Sequence, residues 1–153
     1  KGKTVVLAWT NDGCPYVKKH YGSGNMQKVQ ADLTAAGAVW LSIISSAPGK
    51  QGFVDGAQAN ELTSSRGAHP TAVLLDPKGI IGRAYEAQTT PHMFVIDKAG
   101  ILRYMGAIDD QPSTDQATMA TARNYVREAF AAVSAGAKVA QTATDPYGCS
   151  VKY

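Results

Sequence analysis

Cysteine is scarce in this chain, with only Cys14 and Cys149 among 153 residues. Two sulfurs cannot frame a disulfide-stapled miniprotein, and without a clustered set of histidines they make no structural zinc site. They are left for catalysis or redox chemistry. Long apolar runs are missing as well: stretches such as residues 38–44 and 93–96 fall far short of the ~20 residues that span a bilayer, so membrane insertion is not expected. Charge of one sign is also in short supply. Fifteen basic and 12 acidic residues are scattered to a net charge of +3, and Lys18-Lys19 is the only adjacent basic pair, so no electrostatic footprint for nucleic acid is present. No internal repeat or low-complexity tract occurs.

What is present suits one domain over residues 1–153, since 44% hydrophobic content supports a layered core. The chain begins at Lys1 without methionine, as expected of a processed or trimmed form. The most informative residue is Cys14, set where the apolar run Thr4–Trp9 ends and a helical pattern beginning at Pro15 starts. A thiol in the first turn of a helix meets unpaired backbone N–H groups and the positive end of the helix dipole. That setting favours the nucleophilic thiolate over a thiol whose ordinary pKa is ~8.5, and it predicts an accessible, reactive sulfur.

Along the chain, residues 4–9 read as a strand buried on both faces, and residues 15–36 as a helix broken at Gly22-Ser23-Gly24. Residues 38–45 then form a second strand and complete a β-α-β unit. Residues 48–69, rich in Gly, Gln, Ala, Ser and Asn, read as a surface insertion with one short helix over 57–65. A short apolar run at 72–75, a short helix over 79–85, a strand at 93–96 and its hairpin partner over 101–108 follow. Residues 114–135 read as one long amphipathic helix carrying Met119, Ala122, Tyr125, Val126, Ala129, Phe130 and Val133 on one side, ended by Gly136. The tail, 137–153, has no periodicity and contains Cys149.

This order of elements, with WTNDGCPYV near one end and TTPHMFVID further on, resembles the thioredoxin fold. The fold class is therefore expected to be α/β, a central mixed sheet flanked by helices, with the 48–69 insertion. NDGCPYVKKHY, TTPHMFVIDKAGILRYMGAIDD and the closing YGCSVKY narrow the resemblance to the redoxin branch of the alkyl hydroperoxide reductase and thiol-specific antioxidant superfamily. The resemblance implies that Pro91 is cis and lies against Cys14, and that the backbone at Thr90 pairs with a peptide-like substrate. Departures are specific. Val17 stands where a C-x-x-C motif has its second cysteine, Leu7 and Asn11 stand where peroxiredoxins carry Pro and Thr, and Thr90-Pro91-His92 replaces the usual arginine.

These residues imply a thiol-based oxidoreductase with Cys14 as nucleophile, acting on protein or small-molecule disulfides and thiols or on hydroperoxides, with no cofactor called for. Cys149 is either the resolving cysteine or a small buried hydrophobe pinning the tail. Asn11 either orients substrate or builds the turn before the helix, and Trp9 either walls the site or belongs to the core. Lys18, Lys19, His20 and His69 read as solvated surface groups. His92 reads as a polar strand-edge residue, or as a proton shuttle or metal ligand for Cys14. Arg83 and Arg103 are the remaining candidates for the missing arginine. The competing reading is a binding module: a copper carrier using Cys14, His92 and Met93, or a redox-inactive scaffold. A periplasmic or secreted home is expected ahead of a cytoplasmic one.

Overall fold

A computed structural model describes residues 2–153. Its elements are β1 (Val5–Trp9), α1 (Pro15–Gly22), α2 (Asn25–Ala35), β2 (Val39–Ile44), α3 (Gly56–Ser65), β3 (Ala72–Leu75), α4 (Ile80–Ala84), β4 (Thr89–Thr90), β5 (His92–Ile96), β6 (Leu102–Gly106), α5 (Tyr125–Ser134) and β7 (Cys149–Ser150). Five strands form a mixed sheet in the order β3-β2-β1-β5-β6, with β1, β2 and β3 parallel and β5 antiparallel to both neighbours. The two-residue strands β4 and β7 pair antiparallel as a separate ribbon.

Side chains alternate across the pleat, so the apolar run of β1 feeds two cores. Val6 and Ala8 face the layer of α1, α2 and α5, where Val17, Val29, Trp40, Met93, Val95, Ile108 and Val126 are also buried. Leu7 and Trp9 face the opposite layer with Ile43, Ala87 and Phe94. Burial on both faces explains why the strand reads as a continuous hydrophobic run.

The break predicted between the first two helices is present. Gly24 takes a left-handed φ of +77° at the start of α2, while Ser23 N closes α1 onto Lys19 O at 3.1 Å. The insertion contains α3, capped by Asp55, whose carboxylate accepts from Gln58 N while Gln58 Oε1 accepts from Asp55 N.

The long helix expected over 114–135 is instead two pieces. A 3-10 turn occupies Gln116–Ala120, and α5 begins only at Tyr125. The intervening backbone is taken by the loop after β6: Asp110 N donates to Arg123 O at 3.2 Å and Arg123 N to the Asp110 carboxylate at 2.8 Å. Asn124 then caps α5 by accepting from Arg127 N at 2.9 Å. Tertiary pairing overrides the apolar periodicity there.

Candidate functional site

Cys14 is the N-cap of α1, with extended backbone (φ −78°, ψ 124°) and Pro15 at the first helical position. Lys18 N closes onto Cys14 O at 2.9 Å, which leaves the Tyr16 and Val17 amides as the first-turn donors available to the sulfur. The turn that delivers Cys14 is built by Asn11. Its Oδ1 accepts from Gly13 N at 2.9 Å, its carbonyl accepts from Cys14 N at 3.1 Å, and its Nδ2 donates to Gln51 in the insertion. The side chain is buried and both its polar atoms are engaged.

Cys14 is disulfide-bonded to Cys149 across a Cα–Cα distance of 6.0 Å. The sulfur has no solvent exposure, contrary to the accessibility expected from its place at a helix start. The tail supplies the cover. Cys149 pairs with Thr90 and Ser150 with Thr89 in the β4–β7 ribbon, and Val151 N donates to Gln88 O at 3.1 Å. Cys14 Sγ lies 3.3 Å from the Thr90 carbonyl oxygen, and the Thr90–Pro91 peptide is cis.

The tail reaches this edge through several anchors. Gly106, at φ +145°, lets the chain cross the end of β6, because a Cβ there would lie 2.8 Å from Thr144 N. Thr144 Oγ1 bonds Tyr104 Oη at 2.7 Å and accepts from Ala107 N at 2.9 Å. Beyond Cys149, Ala47 N donates to Lys152 O at 2.8 Å and Tyr153 Oη to Ala87 O at 2.7 Å.

Between these anchors sits a buried polar cluster that corrects two sequence expectations. Lys19 and His20, read as solvated, are 1% and 0% exposed. Their place one turn into α1 faces them toward the loop after β6 and the returning tail. Lys19 Nζ donates to Gln111 O at 2.8 Å and to Tyr147 Oη at 3.2 Å. Asn25 Nδ2 lies 3.0 Å from His20 Nδ1, which assigns the imidazole proton to Nε2, 3.2 Å from the same phenol oxygen. Tyr147 Oη in turn donates to Asp109 Oδ1 at 2.5 Å. Desolvation lowers the Lys19 pKa and raises that of Asp109, and burial raises that of Tyr147. No local sequence pattern links positions 19, 20, 109 and 147.

The other candidates lie apart from Cys14. Trp9 is fully buried in the opposite layer, where its indole N–H donates to Ser45 Oγ at 3.0 Å and Ser45 donates to Asp76 at 2.7 Å. His92 is not at a strand edge. It sits in β5 between β1 and β6, 1% exposed, with its ring 4.6 Å from that of Phe94 and its Nδ1 accepting from Gln88 N at 3.1 Å. Alternation along β5 places His92 with Phe94 and away from Met93, which packs in the layer of Cys14. Cys14, His92 and Met93 therefore do not converge on a common metal position. Arg103 pairs with Asp97 at 2.7 Å, and Arg83 stacks over the Tyr153 ring at 4.5 Å. Lys18 and His69 are exposed.

The two buried histidines give an acid-stability prediction. Burial, reinforced by the Lys19 charge, pushes His20 down to about 3, and burial pushes His92 down to about 4. In the unfolded chain both titrate near ~6.5, so the unfolded state binds more protons than the folded state between these values. Stability is then intact above pH ~6.5 and lost as the pH falls. Asp109, whose carboxyl is raised, works in the opposite direction and offsets part of this. Urea unfolding at pH 7 and pH 4.5 is expected to show a loss on the order of 3 kcal/mol. A flat profile across that window would contradict neutral burial of the pair.

The AhpC/TSA family model matches residues 1–105. No curated protein matches the chain. Among solved structures, an uncharacterized conserved protein from Geobacillus kaustophilus aligns at 20% identity with a TM-score of 0.79, over 99% of this chain and 78% of its own. A hypothetical protein from Sinorhizobium meliloti 1021 aligns at 22% identity with the same TM-score, over 99% of this chain and 80% of its own. A secreted Mycobacterium tuberculosis disulfide oxidoreductase homologous to E. coli DsbE aligns at 20% identity and a TM-score of 0.51, over 67% of each chain. At these identities the likeness is one of fold, whereas the family match covers more than half of the sequence: this chain belongs to the AhpC/TSA family, on a thioredoxin-like fold.

Proposed function

We propose that this chain is a thiol-disulfide oxidoreductase in which Cys14 is the nucleophile and Cys149 resolves the mixed disulfide that Cys14 forms. The observation that carries this reading is the Cys14–Cys149 disulfide laid along the Thr90 edge. It brings the sulfur of an N-cap residue, a second sulfur and a pairing strand into one place. In the reduced chain, the Tyr16 and Val17 amides at the start of α1 stabilise the Cys14 thiolate. The thiolate attacks one sulfur of a substrate disulfide, the other sulfur leaves as a thiolate, and Cys149 then attacks Cys14 to release the bound half. The Thr90 backbone receives the peptide flanking the attacked cysteine, as it receives Cys149 here, and Pro91 borders the same edge.

Asn11 and Trp9 act in this reading through the scaffold, Asn11 by setting the turn and Trp9 by filling the layer behind the sheet. Residues 1–153 function as one redoxin domain, with residues 137–153 as the strap that carries the resolving sulfur. Disulfide exchange is favoured over peroxide reduction because Arg103 and Arg83 are engaged elsewhere and Asn11 holds the turn. An oxidising, extracytoplasmic compartment fits a chain whose two cysteines are paired, and the secreted disulfide oxidoreductase among its structural neighbours supports it.

The test is a stopped-flow comparison of the reduced chain with a small aromatic disulfide and with hydrogen peroxide. Reaction with the disulfide is expected to be severalfold faster than that of free cysteine, because the first-turn amides of α1 hold more of the sulfur as thiolate. Peroxide consumption is expected to be no faster than with free cysteine. Rapid peroxide turnover with an ordinary disulfide rate would reverse the assignment.

A further inference from the structure

The tail holds the site by more than its sulfur. Resting on the reading of Cys14 as the nucleophile, we propose that the surface from Cys14 and Thr90 to the Lys19–His20–Asp109 cradle is a peptide site selecting an extended Tyr-Gly-Cys segment. Residues 147–149 are its resident occupant, and external disulfide-bonded peptides of the same pattern are its substrates.

Each of the three positions is read by a different contact. The cysteine is fixed by antiparallel register opposite Thr90 and by its bond to Cys14. The residue before it must be glycine. Gly148 has φ +147°, and a Cβ there would lie 2.7 Å from the Thr90 carbonyl carbon and 3.2 Å from Pro91 N, both rigid backbone. The residue two before the cysteine must carry a phenol. A hydroxyl has one proton to donate and two lone pairs to accept with. Tyr147 uses all three, donating to Asp109 and accepting from Lys19 and His20. Its ring meets the Tyr16 ring at 5.7 Å in an edge arrangement, with Lys19 Nζ 5.0 Å from its centroid. Lys19, His20 and Asp109 are buried groups, and a phenylalanine in the slot would leave three of their bonds unmade.

The chemistry balances without an outside oxidant. Cys14 thiolate bonds the cysteine sulfur of the peptide disulfide, the former partner sulfur departs as a thiolate, and Cys149 displaces the peptide thiolate to form Cys14–Cys149. One substrate disulfide is reduced to two thiols and one dithiol of the chain is oxidised, and an external dithiol resets it.

The test uses full-length Y147A/C149S, reduced, so that reaction stops at the mixed disulfide and the resident phenol no longer fills the cradle the probe must enter; circular dichroism of this variant, unchanged from the parent, establishes that it is folded. The probes are heptapeptides copying residues 145–151, with the cysteine activated as its thionitrobenzoate mixed disulfide. The parent peptide is compared with one bearing Phe for Tyr and one bearing Ala for Gly. The parent is expected to release thionitrobenzoate about 10-fold faster or more than either altered peptide. All three peptides meet the same chain, so any effect of its substitutions cancels in the comparison. Equal rates for all three peptides, each above that of free cysteine, would overturn the Tyr-Gly-Cys selection while leaving Cys14 as the nucleophile. Rates no higher than that of free cysteine would overturn both.

Discussion

Cys14→Ser is expected to reduce disulfide exchange by this chain to the uncatalysed background, whereas Cys149→Ser is expected to keep the first step and stall at the second. A serine hydroxyl at the start of α1 has the same first-turn amides around it, but its proton is far too tightly held to ionise in that setting. Only Cys149, with no helix start beside it, is then left to attack, at the rate of an ordinary thiol. In the Cys149 variant the Cys14 thiolate still forms, and the mixed disulfide with substrate accumulates to one equivalent per chain because no internal thiol displaces it. Intact-mass measurement of each variant after exposure to a disulfide-bonded peptide separates the two results. If Cys149→Ser turned over as fast as the parent chain with no thiol in solution, Cys149 would have no part in resolution. An adduct formed on Cys14→Ser as fast as on Cys149→Ser would transfer the nucleophile role to Cys149.

Reducing the Cys14–Cys149 bond is expected to cost the folded chain about 3–5 kcal/mol, close to the largest effect a single covalent crosslink gives. The bond closes a loop with a sequence separation of 135, and the entropy that a crosslink removes from the unfolded chain grows with the logarithm of loop length. For a protein of this size the loss corresponds to a fall in Tm of roughly 10–20 °C. Calorimetry of the oxidised chain, the reduced chain and C149S checks it. Equal melting of oxidised and reduced chains would mean that the non-covalent anchors at Thr144, Tyr147 and Tyr153 hold the tail without help from sulfur. The same experiment bears on function, because a tail that loosens on reduction uncovers the Thr90 edge that it occupies in the oxidised form.

The sequence by itself determined the order of the elements and the place of the sulfur. Val5–Trp9 had to be a buried strand because its apolar residues have no polar alternation, and Cys14 had to open a helix because Pro15 and the pattern behind it leave no other reading. The break at Gly22-Ser23-Gly24 was equally local, since a left-handed residue ends a helix wherever it falls. These are signals within a few residues, and the chain carries them wherever it is folded.

Only the tertiary structure decided what surrounds Cys14. The pairing of Cys149 with Thr90 involves two-residue strands, too short to show any periodicity. The burial of Lys19 and His20 depends on a phenol 128 and 127 positions away, and the division of residues 114–135 depends on hydrogen bonds with the loop after β6. His92 reads as an edge residue from its neighbours in sequence, yet strand order places it in the middle of the sheet. Long-range backbone pairing and desolvation act between groups that come together only on folding. A local pattern therefore picks out the proposed nucleophile, while the tail that covers it and the cradle that holds the tail are properties of the folded chain.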